Sequence, residues 1–161
     1  YAFIRPIEAC RITKGNMDLE QRTFQYQEKN HPRKTKIIPE ILFKELPDLS
    51  NKEKDMLLFT PNGIGGYWDA QETNRRGYFS NRFKKVVKGH FDFKVEKTMY
   101  SLRHTYITKV YRKLEESYSP YEATSRLMQI TGHKTRSALE KYLRDIDAAL
   151  PKDYSELLTD D

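Results

Sequence analysis

From Leu102 onward apolar side chains recur at every fourth position, at Leu102, Tyr106, Val110 and Leu114, the spacing of one face of an α-helix. Other stretches keep a different period. Thr23-Phe24-Gln25-Tyr26-Gln27 alternates residue by residue and predicts a strand, and Lys36-Ile37-Ile38-Pro39 predicts a second. The polar stretch from Glu28 to Lys34 between them is then a hairpin tip. Phe91, Phe93 and Val95 alternate as well and predict a third short strand. Helices are expected over Pro6–Ile12, with proline in the first turn and Lys14-Gly15-Asn16 as the stop, and along the stripe Phe79, Phe83, Val86 and Val87. Ile41 to Leu46 begins a helix that Pro47 interrupts. Ser119-Pro120-Tyr121-Glu122 has the form of a capping box, opening a helix through Leu127, Met128 and Ile130 that stops at Gly132. Ala138, Leu139, Tyr142, Leu143 and Ile146 form the apolar face of another helix, which Pro151 breaks. Thr60–Gly77, with Pro61, Gly63, Gly65, Gly66 and Gly77, is expected to be a long loop. The order of elements predicts a mainly helical α+β domain with a small three-stranded antiparallel sheet.

Composition narrows this picture. At 161 residues the chain is long enough for one domain with a real core. Twenty-nine Lys and Arg against 23 Asp and Glu give +6, a balance that suits an anionic partner and equally a soluble basic protein. Cys10 is the single cysteine, so no internal disulfide forms, and a reducing cytoplasm fits. Nothing in the chain has the length of a membrane span. Tyr1-Ala2-Phe3-Ile4-Arg5 lacks the apolar core of a signal peptide and begins in mid-pattern, as though an N-terminal domain of a longer protein preceded it.

The residues able to do chemistry lie at element ends. Arg5 stands before Pro6 at the mouth of the first expected helix, and Arg103 just inside a helix expected to start near Ser101. Two guanidinium groups so placed can clamp one phosphate, although either alone is ordinarily a surface ion-pair partner. His133 follows the helix stop Gly132; a neutral imidazole donates one hydrogen bond to a phosphate oxygen, or simply caps a loop. Tyr142 lies nine positions further on. It is either a core tyrosine or a nucleophile, and with a pKa near 10 a phenol needs help to lose its proton. Lys29 opens the hairpin tip, where a lysine can reach a groove and protonate a leaving oxygen. Lys34 and Lys36 compete for that part, and a solvated charged turn is the plainer reading.

Taken in order, these pieces resemble the catalytic domain of tyrosine recombinases, the phage-integrase family. Phe3-Ile4-Arg5-Pro6-Ile7-Glu8-Ala9 is similar to the first arginine box, Met17-Asp18-Leu19-Glu20 to the lead-in to the hairpin, and Lys29 to the hairpin lysine. Ser101-Leu102-Arg103-His104-Thr105 is similar to the second arginine box, and Thr131-Gly132-His133 with Tyr142 to the final one. The likeness spans essentially the whole chain and is nearest to integrases of bacterial mobile elements. One position departs: the family has histidine three residues before the second arginine, and here Tyr100 stands there. His104 is expected to be structural, buried at the helix start.

The resemblance implies a catalytic domain over residues 1–150 and a tail over 151–161 that docks on a neighbouring protomer or on its own domain. It implies a site of Arg5, Lys29, Tyr100, Arg103 and His133 around the nucleophile Tyr142. It implies double-stranded DNA as partner, a homotetramer on that DNA with a monomer left open for the isolated domain, and no cofactor or metal, because guanidinium groups take the charge-stabilising part. Tyr142 would form a 3′-phosphotyrosine and release a 5′-hydroxyl, with no ATP because the link is itself a phosphodiester. A non-catalytic DNA-binding module and a type IB topoisomerase-like nicking and closing enzyme stand as the alternatives.

Overall fold

The computed structural model describes residues 2–28, 32–91 and 97–143. It forms two compact units, the first ending at Tyr106 and the second beginning at Ile107.

In the first unit the alternation of Thr23-Phe24-Gln25-Tyr26-Gln27 turns Phe24 and Tyr26 inward and the polar residues outward. This strand, β2 (Thr23–Gln27), pairs antiparallel with β3 (Arg33–Ile37) in a register that sets Phe24 opposite Lys36 and Tyr26 opposite Lys34. Lys34 and Lys36 therefore share the inner face with two core aromatics. The third strand is β1 (Met17–Asp18), paired to Phe24 and Thr23. At two residues it is too short to show a period. The strand expected over Phe91–Val95 falls on residues outside the described ones, apart from Phe91, which caps a helix. Buried Ile12, Phe24, Tyr26, Ile38, Leu49 and Leu58 form the core, with Ile4, Met17 and Phe43 packed against it.

Helix α1 (Pro6–Ala9) is shorter than its apolar pattern, and α2 spans Glu40–Phe43. The expected loop Thr60–Gly77 is not a loop throughout. β4 (Leu57–Thr60) and β5 (Gly63–Gly66) form a hairpin, and α3 runs from Glu72 to His90 through Gly77. The hairpin exists because Thr60 Oγ1 donates to the Gly63 carbonyl at 2.9 Å and Gly63 adopts φ +130°, a backbone that side chains disfavour. Arg11 pairs with Glu72 at 2.7 Å, and Arg75 donates to the Cys10 carbonyl at 3.3 Å, fixing α3 against the end of α1.

Helix α4 (Met99–Glu115) carries residues of both units. In the second, α5 (Pro120–Thr131) opens on the expected capping box: Ser119 Oγ accepts from the Glu122 N–H, and Glu122 Oε2 accepts from Ser119. It ends at Gly132, φ +79°, whose N–H donates to the Met128 carbonyl. α6 spans Arg136–Leu143; Ile146, expected on its face, lies outside the described residues. Ile107, Ala123, Leu127 and Leu139 are fully buried. Among the described residues no helix is long and apolar enough to cross a membrane.

Candidate active site

The first unit assembles its charged groups around the start of α1. Arg5 is the residue before the helix, and both its groups meet Glu8: the backbone N–H donates to Oε2 and Nη1 to Oε1, each at 2.7 Å. The helix mouth is thus filled by a buried carboxylate of the chain itself and not by an outside anion. Four residues are too few for the expected anion site of backbone N–H groups. The Arg5 side chain keeps 47% of its surface exposed, against 5% for Glu8. Glu8 first, and more weakly the Tyr100 side chain, hold Arg5 charged even more firmly than usual.

Arg103 reaches the same region from a different place. α4 begins at Met99, so Arg103 stands one turn into the helix and not at its mouth. Its Nη1 donates to the Phe3 carbonyl. Phe3 adopts φ +53°, an unusual conformation for a bulky side chain, in the segment leading into Arg5. Lys36 joins it from β3: Nζ donates to the Ala2 carbonyl at 3.1 Å. Arg103 and Lys36 therefore hold two consecutive carbonyls. His104, expected to be buried, is exposed, because its position on α4 turns it outward to lie edge-on to Tyr100 with ring centroids 5.7 Å apart.

Burial, then the Arg103 charge, push the Lys36 ammonium down to about 8, with Lys34 adding to the effect and Glu8 and Glu28 opposing it. Tyr26 beside it is pushed up to about 12, first by burial. An unfolded chain keeps the Lys36 proton to its ordinary value of 10.5, whereas the fold releases it near 8. Between those values the unfolded state binds more protons, so this group's contribution to stability rises with pH across the window and is fully unfavourable below it. Lys36→Met is expected to stabilise the protein at pH 7, by on the order of 2 kcal/mol. The gain should shrink as pH approaches 10.5, read from denaturant midpoints of both proteins at each pH. A variant no more stable at pH 7 would refute the buried-charge account.

Arg5 and Tyr100 line one cleft of about 290 Å³ with Arg76, Ser80 and Thr98. Arg76 was not among the sequence candidates. Its signal was present in the Arg75-Arg76 pair, but those residues fall within a segment whose glycines read as a loop.

The second unit brings His133 and Tyr142 together: ring centroids lie 5.0 Å apart and the planes are tilted by 54°. Leu139, fully buried on α6, anchors the helix that carries Tyr142, and both rings are half-buried. The Thr131 hydroxyl lies 2.7 Å from His133 Nδ1. Lys29 lies outside the described residues, as does the tail from Pro151 to Leu158. Among the described residues no group of three or more His, Cys, Asp or Glu is arranged to hold a metal.

Over 99% of its length the chain superimposes on a solved structure, the crystal structure of XerA recombinase, with a TM-score of 0.62. The two share a fold. Identity is 18%, and the chain spans 54% of the XerA chain. No protein-family model and no curated protein matches the sequence. The shared fold agrees with the expected α+β architecture, mainly helical with a small antiparallel sheet.

Proposed function

We propose that this chain is the catalytic part, residues 1–150 with a tail at 151–161, of a site-specific DNA recombinase that works through a tyrosine–DNA intermediate. The observation that carries the reading most is the ring-to-ring approach of His133 and Tyr142 in a chain that shares its fold with a recombinase. Supporting it are the two arginines, Arg5 and Arg103, gathered with Tyr100 and Lys36 around the start of α1.

On this reading the Tyr142 hydroxyl attacks the scissile phosphate of double-stranded DNA. A Tyr–O–P bond forms, and the bond from phosphorus to the 5′-oxygen breaks. Arg5 and Arg103 stabilise the charge that grows on the non-bridging oxygens. Tyr100 lends a hydrogen bond, and Lys29 protonates the departing 5′-oxygen. A 5′-hydroxyl from a partner strand then reverses the step, so that strands are exchanged at nearly constant bond energy. Four copies on two duplexes, and integration or excision of a mobile element, are the finer form of the proposal.

The experiment is a duplex with a nick beside the scissile phosphate, which traps the covalent intermediate. A heat- and detergent-resistant protein–DNA adduct is expected, and peptide mapping should find the modification on Tyr142. Binding without adduct would reduce the protein to a DNA-binding module. Relaxation without joined products from two duplexes would make it a nicking and closing enzyme.

A further inference from the structure

The hydrogen bonds around Thr131 decide which nitrogen of His133 carries the proton. Thr131 is the last residue of α5, and it is buried. Its hydroxyl lies 2.7 Å from the Leu127 carbonyl, with a longer 3.5 Å approach to that of Met128. A carbonyl oxygen offers only lone pairs, so the single hydroxyl hydrogen must point at Leu127. The same Oγ1 also lies 2.7 Å from His133 Nδ1. With the hydroxyl hydrogen already committed, the hydrogen in that second contact has to come from the ring. Neutral His133 is therefore protonated on Nδ1 and keeps the lone pair on Nε2.

This reverses the part expected for His133. A neutral ring in this form cannot donate from Nε2 to a phosphate oxygen. It accepts a proton there, and donates only once it has become an imidazolium. Tyr142, whose ring lies against it, is the group with a proton to lose. Tyr100, itself a phenol, is a poor acceptor near neutral pH.

We propose that Thr131 is a positioning residue that holds the His133 proton on Nδ1, so that Nε2 receives the phenolic proton of Tyr142. The inference rests on the reading under Proposed function. As the Tyr142 oxygen bonds to phosphorus, its proton passes to His133 Nε2. The bond from phosphorus to the 5′-oxygen breaks, and that oxygen takes its proton from Lys29. His133, now protonated on both nitrogens, places a positive charge beside the new phosphotyrosine. In the reverse step the incoming 5′-hydroxyl gives its proton back to Lys29 and bonds to phosphorus, the Tyr–O–P bond breaks, and His133 returns the proton to Tyr142.

The test has two readouts on the whole chain. With ¹⁵N-labelled histidine, long-range proton–nitrogen spectra above the histidine pKa should show His133 protonated on Nδ1, assigned by its disappearance in His133→Gln. Thr131→Val, nearly the same shape without the hydroxyl, should move protonation toward Nε2, while Thr131→Ser keeps the wild-type pattern. Adduct formation on the nicked duplex should fall about 10–100-fold in Thr131→Val, the loss typical when the partner orienting a functional histidine is removed. Thr131→Ser should recover most of it. A wild-type ring protonated on Nε2 overturns the inference. So does an unchanged rate in Thr131→Val, or a loss that serine does not restore, which would mean packing alone. A reversed tautomer in a protein that still forms the adduct sinks only this inference. A correct tautomer with no adduct sinks the recombinase reading and the role of Nε2 with it.

Discussion

Tyr142→Phe is expected to abolish the covalent protein–DNA adduct while leaving duplex binding unchanged. The substitution removes one oxygen and keeps the ring that lies against His133. Leu139, which anchors the same helix, is untouched. A half-buried phenol that loses only its hydroxyl should change stability by no more than about 1 kcal/mol. A fall in adduct can then be read as loss of the nucleophile and not of the fold. Gel mobility measures binding, and a denaturing gel measures the adduct. Should Tyr142→Phe form adduct as well as the wild type, the nucleophile is another residue, and Tyr100→Phe is the next variant to make. Tyr100 is the alternative because it lines the cleft beside Arg5.

Arg103→Ala should lower cleavage by on the order of 10²–10³, as removal of one preorganised donor to a developing oxyanion does, and largely spare binding. That loss corresponds to about 3–4 kcal/mol of transition-state stabilisation. Binding survives because many phosphate contacts along the duplex share it, whereas the charge of the transition state develops on one phosphate. Alanine also removes the bond to the Phe3 carbonyl, so the segment leading into Arg5 loses a tether. Arg103→Lys separates the two effects. It keeps a positive charge but not the planar fork, and it should restore binding and stability more fully than cleavage. Equal loss of binding and cleavage in Arg103→Ala would make this arginine an anchoring contact only.

Much of the local structure was legible in the chain because it rests on short-range rules. Alternation over Thr23–Gln27 marked β2, the Ser119–Glu122 box marked the start of α5, and Gly132 marked its end, each through bonds made within a few residues. The pairing of His133 with Tyr142 was legible for a related reason: a helix stop and one short helix separate them. The hairpin β4–β5 was not legible. Its second strand is Gly-Ile-Gly-Gly, whose composition signals a turn, and pairing with Leu57–Thr60 overrides that weak propensity. Arg76 lies in the same stretch, and a residue assigned to a loop has no face to mark it as a site candidate.

What the sequence determined by itself was which residue types stand at which element ends, because caps, turns and periodicity act between near neighbours. Only the tertiary structure decided how those residues are engaged. Arg103 arrives one turn into α4 to bond Phe3, a hundred positions away. Lys36 is drawn beside it on the inner face of the sheet, its ammonium on the Ala2 carbonyl. Each of these depends on a donor and an acceptor meeting within about 3 Å, and no spacing along the chain encodes a distance across space.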